Sequence, residues 1–388
     1  MRTQGVILSS VLVLLLSFVS CNSKESTGVL HVDIRSAIDA KPENIGLSAI
    51  ADKIQYIPLE TNKACFLTGI TKISSYKDYY FITDYKRLYQ FNKNGRFIRT
   101  IGVRGKGPGE IGNNIRFAID KENKEIYVLT YKTLMNVYDL DSGNYKRSFR
   151  INRDFTRFDV FKPGQIVIYT INSPEIFLHY TVYECFLYDS KGNCLDSIAE
   201  FSRRMNKNIN FISYTNSYFN DMGIFYKDLL SDTLYHMSKE FKKEPYIIYE
   251  TDNDIPYGSL FMPPEKAGNQ FRDNIMIHYT VEYNNYLFVT TERGVGKGPD
   301  RQFFQMLYDK QSGKLTNVSE LSDDIEGGPG LWPKFVVDGY LMASKEAYEI
   351  IDYYNNSKNK DDFSPDFQNL AKKLSANDNP VLMILSDK

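Results

Sequence analysis

A chain of 388 residues, 42% hydrophobic and 24% charged, can bury the core of one large domain, and a formal charge of −1 excludes a surface built to hold nucleic acid. Four cysteines are too few for a disulfide-stapled scaffold of this length. With 29 Tyr and 25 Phe against a single Trp, the composition favours strands over helices.

The chain opens on a targeting pattern. Arg2 precedes an apolar run from Val6 to Val19, broken only by Ser9, Ser10 and Ser17. That run is short for a membrane span and fits the hydrophobic region of a secretory signal. It ends at Phe18-Val19-Ser20-Cys21, which resembles a bacterial lipobox with Phe18 where Leu is usual. Residues 1–20 are therefore expected to be a lipoprotein signal peptide, with Cys21 lipidated and the membrane reached through acyl chains alone. Asn22 is not the aspartate that retains bacterial lipoproteins at the inner membrane, which points to the outer membrane. Residues 21–46, starting with the small polar stretch Cys21 to Gly28, are expected to be a flexible tether, and residues 47–388 the folded domain.

Within the domain one turn recurs. An aromatic-bearing strand runs into Asn or Asp, and Gly follows three or four residues later. The copies are Tyr89 to Gly95, Val137 to Gly143, Phe186 to Gly192 and Met306 to Gly313. In each, the polar side chain accepts from the turn backbone and Gly takes the left-handed conformation. Gly95 to Gly143 is 48 residues, Gly143 to Gly192 is 49, and 49 more reach Phe241, in a hairpin of the same shape without the glycine. The next interval, Phe241 to Gly313, is 72 residues, one period plus about 24, the excess matching a loop insertion over Asp252 to Asp273. A period near 48 holding about four short strands is the size of a propeller blade.

Five hairpins predict five blades. The sixth is assembled from the ends, by pairing Ile54 to Leu59 with Val381 to Leu385 and adding inner strands from Lys334 to Ala343. This closes the ring and leaves no open sheet edge. Two helices are expected inside that blade, one capped by Ser344 and one opened by Ser364-Pro365. The expected fold is thus an all-β six-bladed propeller, closed by N- and C-terminal strands, with a small helical insertion in the last blade. Cys185 and Cys194 fall on partner strands out of register, so no bridge is expected between them.

Ile101-Gly-Val-Arg-Gly-Lys-Gly-Pro-Gly-Glu110, following Phe91-Asn-Lys-Asn-Gly-Arg-Phe97, resembles an NHL-type repeat. Ser48 to Glu60, Asp232-Thr-Leu-Tyr235 and Asn379-Pro-Val-Leu382 are similar to the six-bladed β-propeller lipoproteins of Bacteroidetes. The resemblance spans most of residues 45–388 and implies the propeller fold and surface lipidation. It implies no catalytic residue.

In a propeller, the loops from the second to the third strand, and from the outermost strand to the next blade, share one face. Two glycine-rich loops fall there, Gly102 to Gly112 between blades one and two, and Arg293 to Arg301 inside blade five. Backbone amides beside Arg104, Lys106, Arg293, Lys297 and Arg301, with Glu110 nearby, could hold a carboxylate or acidic sugar. The glycines also have a purely structural reading, as sharp reversals between blades. Lys86, Arg87 and Lys132 are further candidates on that face, in loops where Tyr beside Lys or Arg can stack on a sugar.

Enzymatic signatures are thin. The four histidines show no paired ligand spacing, and no nucleophile elbow is present. No cofactor is predicted. Calcium in the channel is left open, because its oxygen ligands leave little trace in sequence, and Asp323-Asp324 reads as a ligand pair or, more simply, a solvated turn. The expected function is a ligand- or partner-binding module of the cell envelope, for glycan, peptide or protein. The alternative is a metal-dependent hydrolase or lyase with its site in the channel.

Overall fold

The protein is described by a computed structural model over residues 28–84, 86–131, 133–153, 155–170, 183–199, 215–220, 222–228, 231–252, 273–294 and 302–387. The signal peptide, Cys21 and its neighbours lie outside these residues, as does nearly all of the insertion between blades four and five.

Six sheets form the blades of a propeller. Blade one comprises Lys72–Tyr76, Tyr79–Thr83, Leu88–Asn92 and Phe97–Ile101. Blade two comprises Arg116–Asp120, Glu125–Tyr131, Leu134–Asp139 and Tyr145–Arg150. Blade three comprises Phe155–Lys162, Gln165–Thr170, Tyr183–Asp189 and Cys194–Ala199. Blade four comprises Thr215–Asn220, Gly223–Asp228, Thr233–Met237 and Lys243–Glu250. Blade five comprises Ile275–Tyr283, Tyr286–Arg293, Gln302–Asp309 and Lys314–Ser322. Blade six takes Phe335–Val337, Tyr340–Lys345 and Val381–Ser386 from the C-terminal region and Lys53–Pro58 from the N-terminal region.

The middle strands of the blades are nearly continuous apolar runs because both sheet faces are covered there. Six hydrophobic clusters sit one at each junction between neighbouring blades, from Tyr89 and Leu382 between blades six and one to Phe288 and Met383 between blades five and six. A seventh fixes the helical insertion. A strand sandwiched in this way need not alternate in polarity, and Glu125–Tyr131 is buried at all but its last position.

The ring closes where expected. Val381 pairs with Pro58, and the ladder runs to Ser386 with Lys53. Asn379 clasps the joint. Fully buried, it donates to the carbonyls of Glu60 (2.7 Å) and Cys65 (3.2 Å) and accepts from Leu67 N (2.8 Å). The Asn-Pro-Val-Leu motif is therefore a closure device.

The recurring turns are built as expected. Asp189 Oδ1 accepts from Lys191 N (2.8 Å) and Asn193 N (2.9 Å), with Gly192 at φ +89°. A Cβ on Gly192 would lie 2.7 Å from the Arg150 carbonyl of blade two, so this glycine also permits close packing of neighbouring blades. Blade four keeps the turn without the glycine, and Phe241 adopts φ +59°.

Two expectations are corrected. Residues 30–46 are not tether. Leu30–Asp33 adds a fifth strand to blade four, parallel to Lys243–Glu250, and Glu43–Gly46 does the same for blade five beside Lys314–Ser322. Between them helix α1 (Ile34–Ile38) packs Ile34, Ala37 and Ile38 into the junction of those blades. Four-residue strands that pair only with distant partners carry no periodic signal, so this belt looks like a polar linker in sequence. Second, helix α2 (Ala347–Asn356) is capped by Glu346 in a capping box with Glu349, because Ser344 still belongs to the preceding strand. Helix α3 (Pro365–Lys373) has the expected Ser364 cap. Both helices lie between the second and third strands of blade six. Cys65, Cys185 and Cys194 are free thiols.

Candidate functional site

The innermost strands of all six blades enclose a channel of ≈ 1190 Å³. Its wall mixes apolar surface with charged and hydroxyl groups. Lys72 Nζ of blade one reaches Asp159 Oδ1 of blade three at 3.1 Å, and Ser217 of blade four donates to Asp159 Oδ2 at 2.6 Å. Three blades are thus bonded through one carboxylate. On the blade-five side, buried Glu282 accepts from Tyr218 (3.0 Å), Tyr246 (2.7 Å) and Lys310 (2.9 Å). Burial and the Glu282 charge push the Tyr246 phenol up, so it stays a donor. At the end where first and second strands join, Asp338 pairs with Lys93 (3.0 Å) and Lys121 (3.3 Å). Burial opposes ionisation there, but the Ser75 hydroxyl first, and then the two lysines, hold its carboxyl below the ordinary value. Seven basic and five acidic residues line the channel among the described residues, giving it a net positive wall.

None of the residues in these channel bonds was singled out from sequence. The signal was present as isolated charges inside apolar strands, Asp159 in Phe158-Asp-Val-Phe161 and Glu282 in Val281-Glu-Tyr283.

At the opposite end lie the described parts of the loops singled out from sequence. Lys86 and Arg87 are exposed on a turn held by Asp84, whose Oδ1 accepts from both backbone N–H groups (2.9 and 3.0 Å). Arg104 and Lys106 are also exposed. Their glycine loop lies folded onto blade two. Val103–Arg104 pairs with Glu110–Ile111, Tyr131 and Tyr138 donate to the carbonyls of Gly105 (2.7 Å) and Gly109 (2.9 Å), and Glu110 turns inward to accept from Gly107 N (2.7 Å). The Glu110 carboxylate is thus occupied by its own loop, and a Cβ on Gly105 would meet that carboxylate. The glycines therefore serve the loop's own compact form. Arg293 stands apart on blade five, donating from Nη2 to Asp39 of the belt at 2.6 Å. Lys132, Lys297 and Arg301 lie outside the described residues.

Asp323 and Asp324 do not form a solvated turn. Asp323 is buried and accepts from Tyr56 Oη (2.6 Å) and Gly328 N (2.9 Å), while Asp324 accepts from Ser48 N (2.9 Å). Both join the last blade's loops to the chain that enters blade six. Among the described residues no three His, Cys, Asp or Glu side chains converge as a metal would need. His278 sits at a β-bulge of blade five, 2.5 Å from buried Glu292, a pairing no spacing rule suggested. Among the described residues no helix is long and apolar enough to cross a membrane.

One family, described as a domain of unknown function (DUF4934), matches residues 29–386. The match starts where the belt starts. A crystal structure of a Bacteroides fragilis protein, named as an exported protein, is similar with a TM-score of 0.70 at 17% identity, covering 93% of this chain and 100% of that one. At that identity the likeness is one of fold. The WD40 repeats of RRP9 (TM-score 0.45, 11% identity, 86% and 99% covered) and Kuenenia stuttgartiensis hydrazine synthase (0.40, 12%, 84% and 89%) are more distant. A comparison with curated proteins found no match.

Proposed function

We propose, from the premise that the chain belongs to the DUF4934 family, that it is a binding module of the cell envelope, anchored by a lipid on Cys21 and placed at the outer membrane. Its ligand would be a hydroxyl-rich chain with acidic groups, taken up by the channel and its loop-side mouth. Of the partner classes a propeller can hold, a glycan suits this wall best. Tyrosines on the side of blades four and five, with carboxylates and lysines from several blades, line it, and such groups bond sugar hydroxyls while cations hold uronate groups.

The channel carries this reading. A cavity of ≈ 1190 Å³, walled by every blade and crossed by the Lys72–Asp159–Ser217 bonds, gives a linear ligand polar contacts along its length. Export of the similar Bacteroides fragilis protein accords with the envelope placement. The metal-dependent hydrolase or lyase has no convergent ligand set behind it among the described residues.

The test takes the full chain against a panel of neutral and acidic oligosaccharides. Binding of acidic members that falls at least tenfold in Lys72→Met supports the channel. Equal binding by that variant, or no glycan bound while an envelope protein co-purifies, rejects the glycan reading. The anchor is tested by metabolic labelling with palmitate, which should mark the wild type and not Cys21→Ala. A wild type that takes up no label overturns it.

A further inference from the structure

The charges of the channel are not spread evenly along its axis. Each inner strand runs from the loop side to the narrow turn that joins it to the second strand of its blade, so distance from the last rung before that turn gives depth. Lys72 lies four residues to the loop side of the last rung of blade one, Tyr76 with Tyr79. Arg157 and Asp159 lie five and three residues from that of blade three, Lys162 with Gln165. Lys227 pairs with Asn216, four residues from that of blade four, Asn220 with Gly223. Lys334 lies three residues from that of blade six, Val337 with Tyr340. Asp159, bonded to both Lys72 and Ser217, ties blades one, three and four together at this depth. All five charged residues line the cavity.

The remaining charges gather at the turns. Asp120 and Lys162 belong to last rungs, and Lys121, Glu122 and Asp338 to the turns themselves. Glu282 is one residue from the last rung of blade five, where Lys310 bonds it at 2.9 Å. Among the described residues the loop-side half thus holds four cations and one carboxylate, and the narrow-turn half three cations and four carboxylates. The two levels are about 10 Å apart, three residues of strand at ~3.3 Å each. The Debye length at physiological salt is about 8 Å, so an anion in one half is largely screened from the other, while the walls of a cleft focus the nearer field on it.

We infer that the channel sorts its ligand by charge along its axis. The loop-side half, through Lys72, Arg157 and Lys334, holds an acidic residue, and the carboxylates of the narrow-turn half accept from the hydroxyls of uncharged residues and repel a second acid. The ligand class is an oligosaccharide acidic at one end and neutral at the other, bound in a single orientation. This deepens the glycan reading and rests on it for the sugar. Two residues isolate the effect. Lys334 and Lys162 stand in opposite halves, both exposed, and neither has a carboxylate partner among the described residues.

The probes are a trisaccharide with one terminal glucuronate, the trimer of galacturonate, and citrate, titrated calorimetrically into the full chain at low salt. Lys334→Met and Lys162→Met remove the same charge from opposite halves. With melting temperatures unchanged, Lys334→Met should weaken the one-uronate trisaccharide about fivefold and Lys162→Met by less than about twofold. The galacturonate trimer should bind no tighter than the one-uronate trisaccharide, whereas a channel answering only to total charge would hold it tighter. Equal losses in the two variants overturn the inference, as does a tighter galacturonate trimer. Citrate carries no sugar and separates this inference from the glycan reading. If no oligosaccharide binds while citrate is weakened by Lys334→Met and not by Lys162→Met, only the glycan reading falls. If neither citrate nor any oligosaccharide binds at millimolar concentration, both fall. If oligosaccharide binding depends on Lys72 but equally on Lys334 and Lys162, the glycan reading stands and the sorting by depth is refuted.

Discussion

The ring of Phe241 meets that of Phe161 edge-on, with centroids 5.5 Å apart, and so plugs the hairpin turn of blade four into blade three. Phe241 is 5% exposed and holds φ +59°, at the turn position where blades one, two, three and five carry glycine. Left-handed backbone costs an ordinary residue about 1–2 kcal/mol, and burying a phenyl ring more than offsets it.

The two contributions separate by substitution. Phe241→Ala should lose about 3–5 kcal/mol, since it gives up the ring and keeps the strain. Phe241→Gly should lose roughly 1 kcal/mol less, because glycine accepts this conformation. Urea unfolding of both variants checks the order, and an alanine variant as stable as the glycine variant refutes it.

Acid should loosen the joint between blades two and three. Burial alone would raise the Glu125 carboxyl, but bonds from Arg147, Lys146 and Tyr127 outweigh it and hold the group down at about 2. Arg147 also donates to the Ser190 carbonyl of blade three. A depressed carboxyl contributes stability that is present above the unfolded value of 4.5 and fades as pH falls toward 2. Glu125→Gln should flatten the stability profile over that window, by up to ~3 kcal/mol between its ends. An unchanged slope in denaturation between pH 5 and 2.5 argues against this account.

Asn379→Ala should cost about 3 kcal/mol or more, since it strands the Leu67 N–H and the Glu60 and Cys65 carbonyls inside the ring closure. Asn379→Asp should be no better, because a carboxylate cannot donate to two carbonyls. Thermal unfolding measures both, and a loss below ~1 kcal/mol would mean the clasp matters little.

In the channel wall, Glu282→Gln should destabilise the fold by about 3 kcal/mol, because it leaves the Lys310 charge without its counter-ion beside two tyrosine hydroxyls. Glu282→Gln combined with Lys310→Met should recover part of that loss. A double variant no more stable than the single would place the cost elsewhere.

How much of this was readable in one dimension follows from the range of each interaction. Turns are local, so the Asn and Asp turns with their glycines could be found, and their even spacing led to the blades and the closing pair Val381 with Pro58. The belt was missed because Leu30–Asp33 and Glu43–Gly46 are defined only by partners more than 200 residues away. Among the loop-side cations, Lys86, Arg87, Arg104, Lys106 and Arg293 lie in or beside the loops expected, but their availability depends on distant contacts. Glu110 is turned into its own loop, and Arg293 is held by Asp39, 254 residues before it. The channel charges went unnoticed because a lone acid in an apolar strand has no meaning until six such strands are brought round one axis.

The belt also sets how the molecule bears load. Leu30, His31, Val32 and Asp33 lie in register with Ile247, Ile248, Tyr249 and Glu250, all running in one direction. A pull on the N-terminus along that direction draws the strand lengthwise, so the rungs of the ladder share the force instead of opening one after another. Blade four is therefore the mechanical root of the ring, and stretching the leading segment would stress it before any other blade.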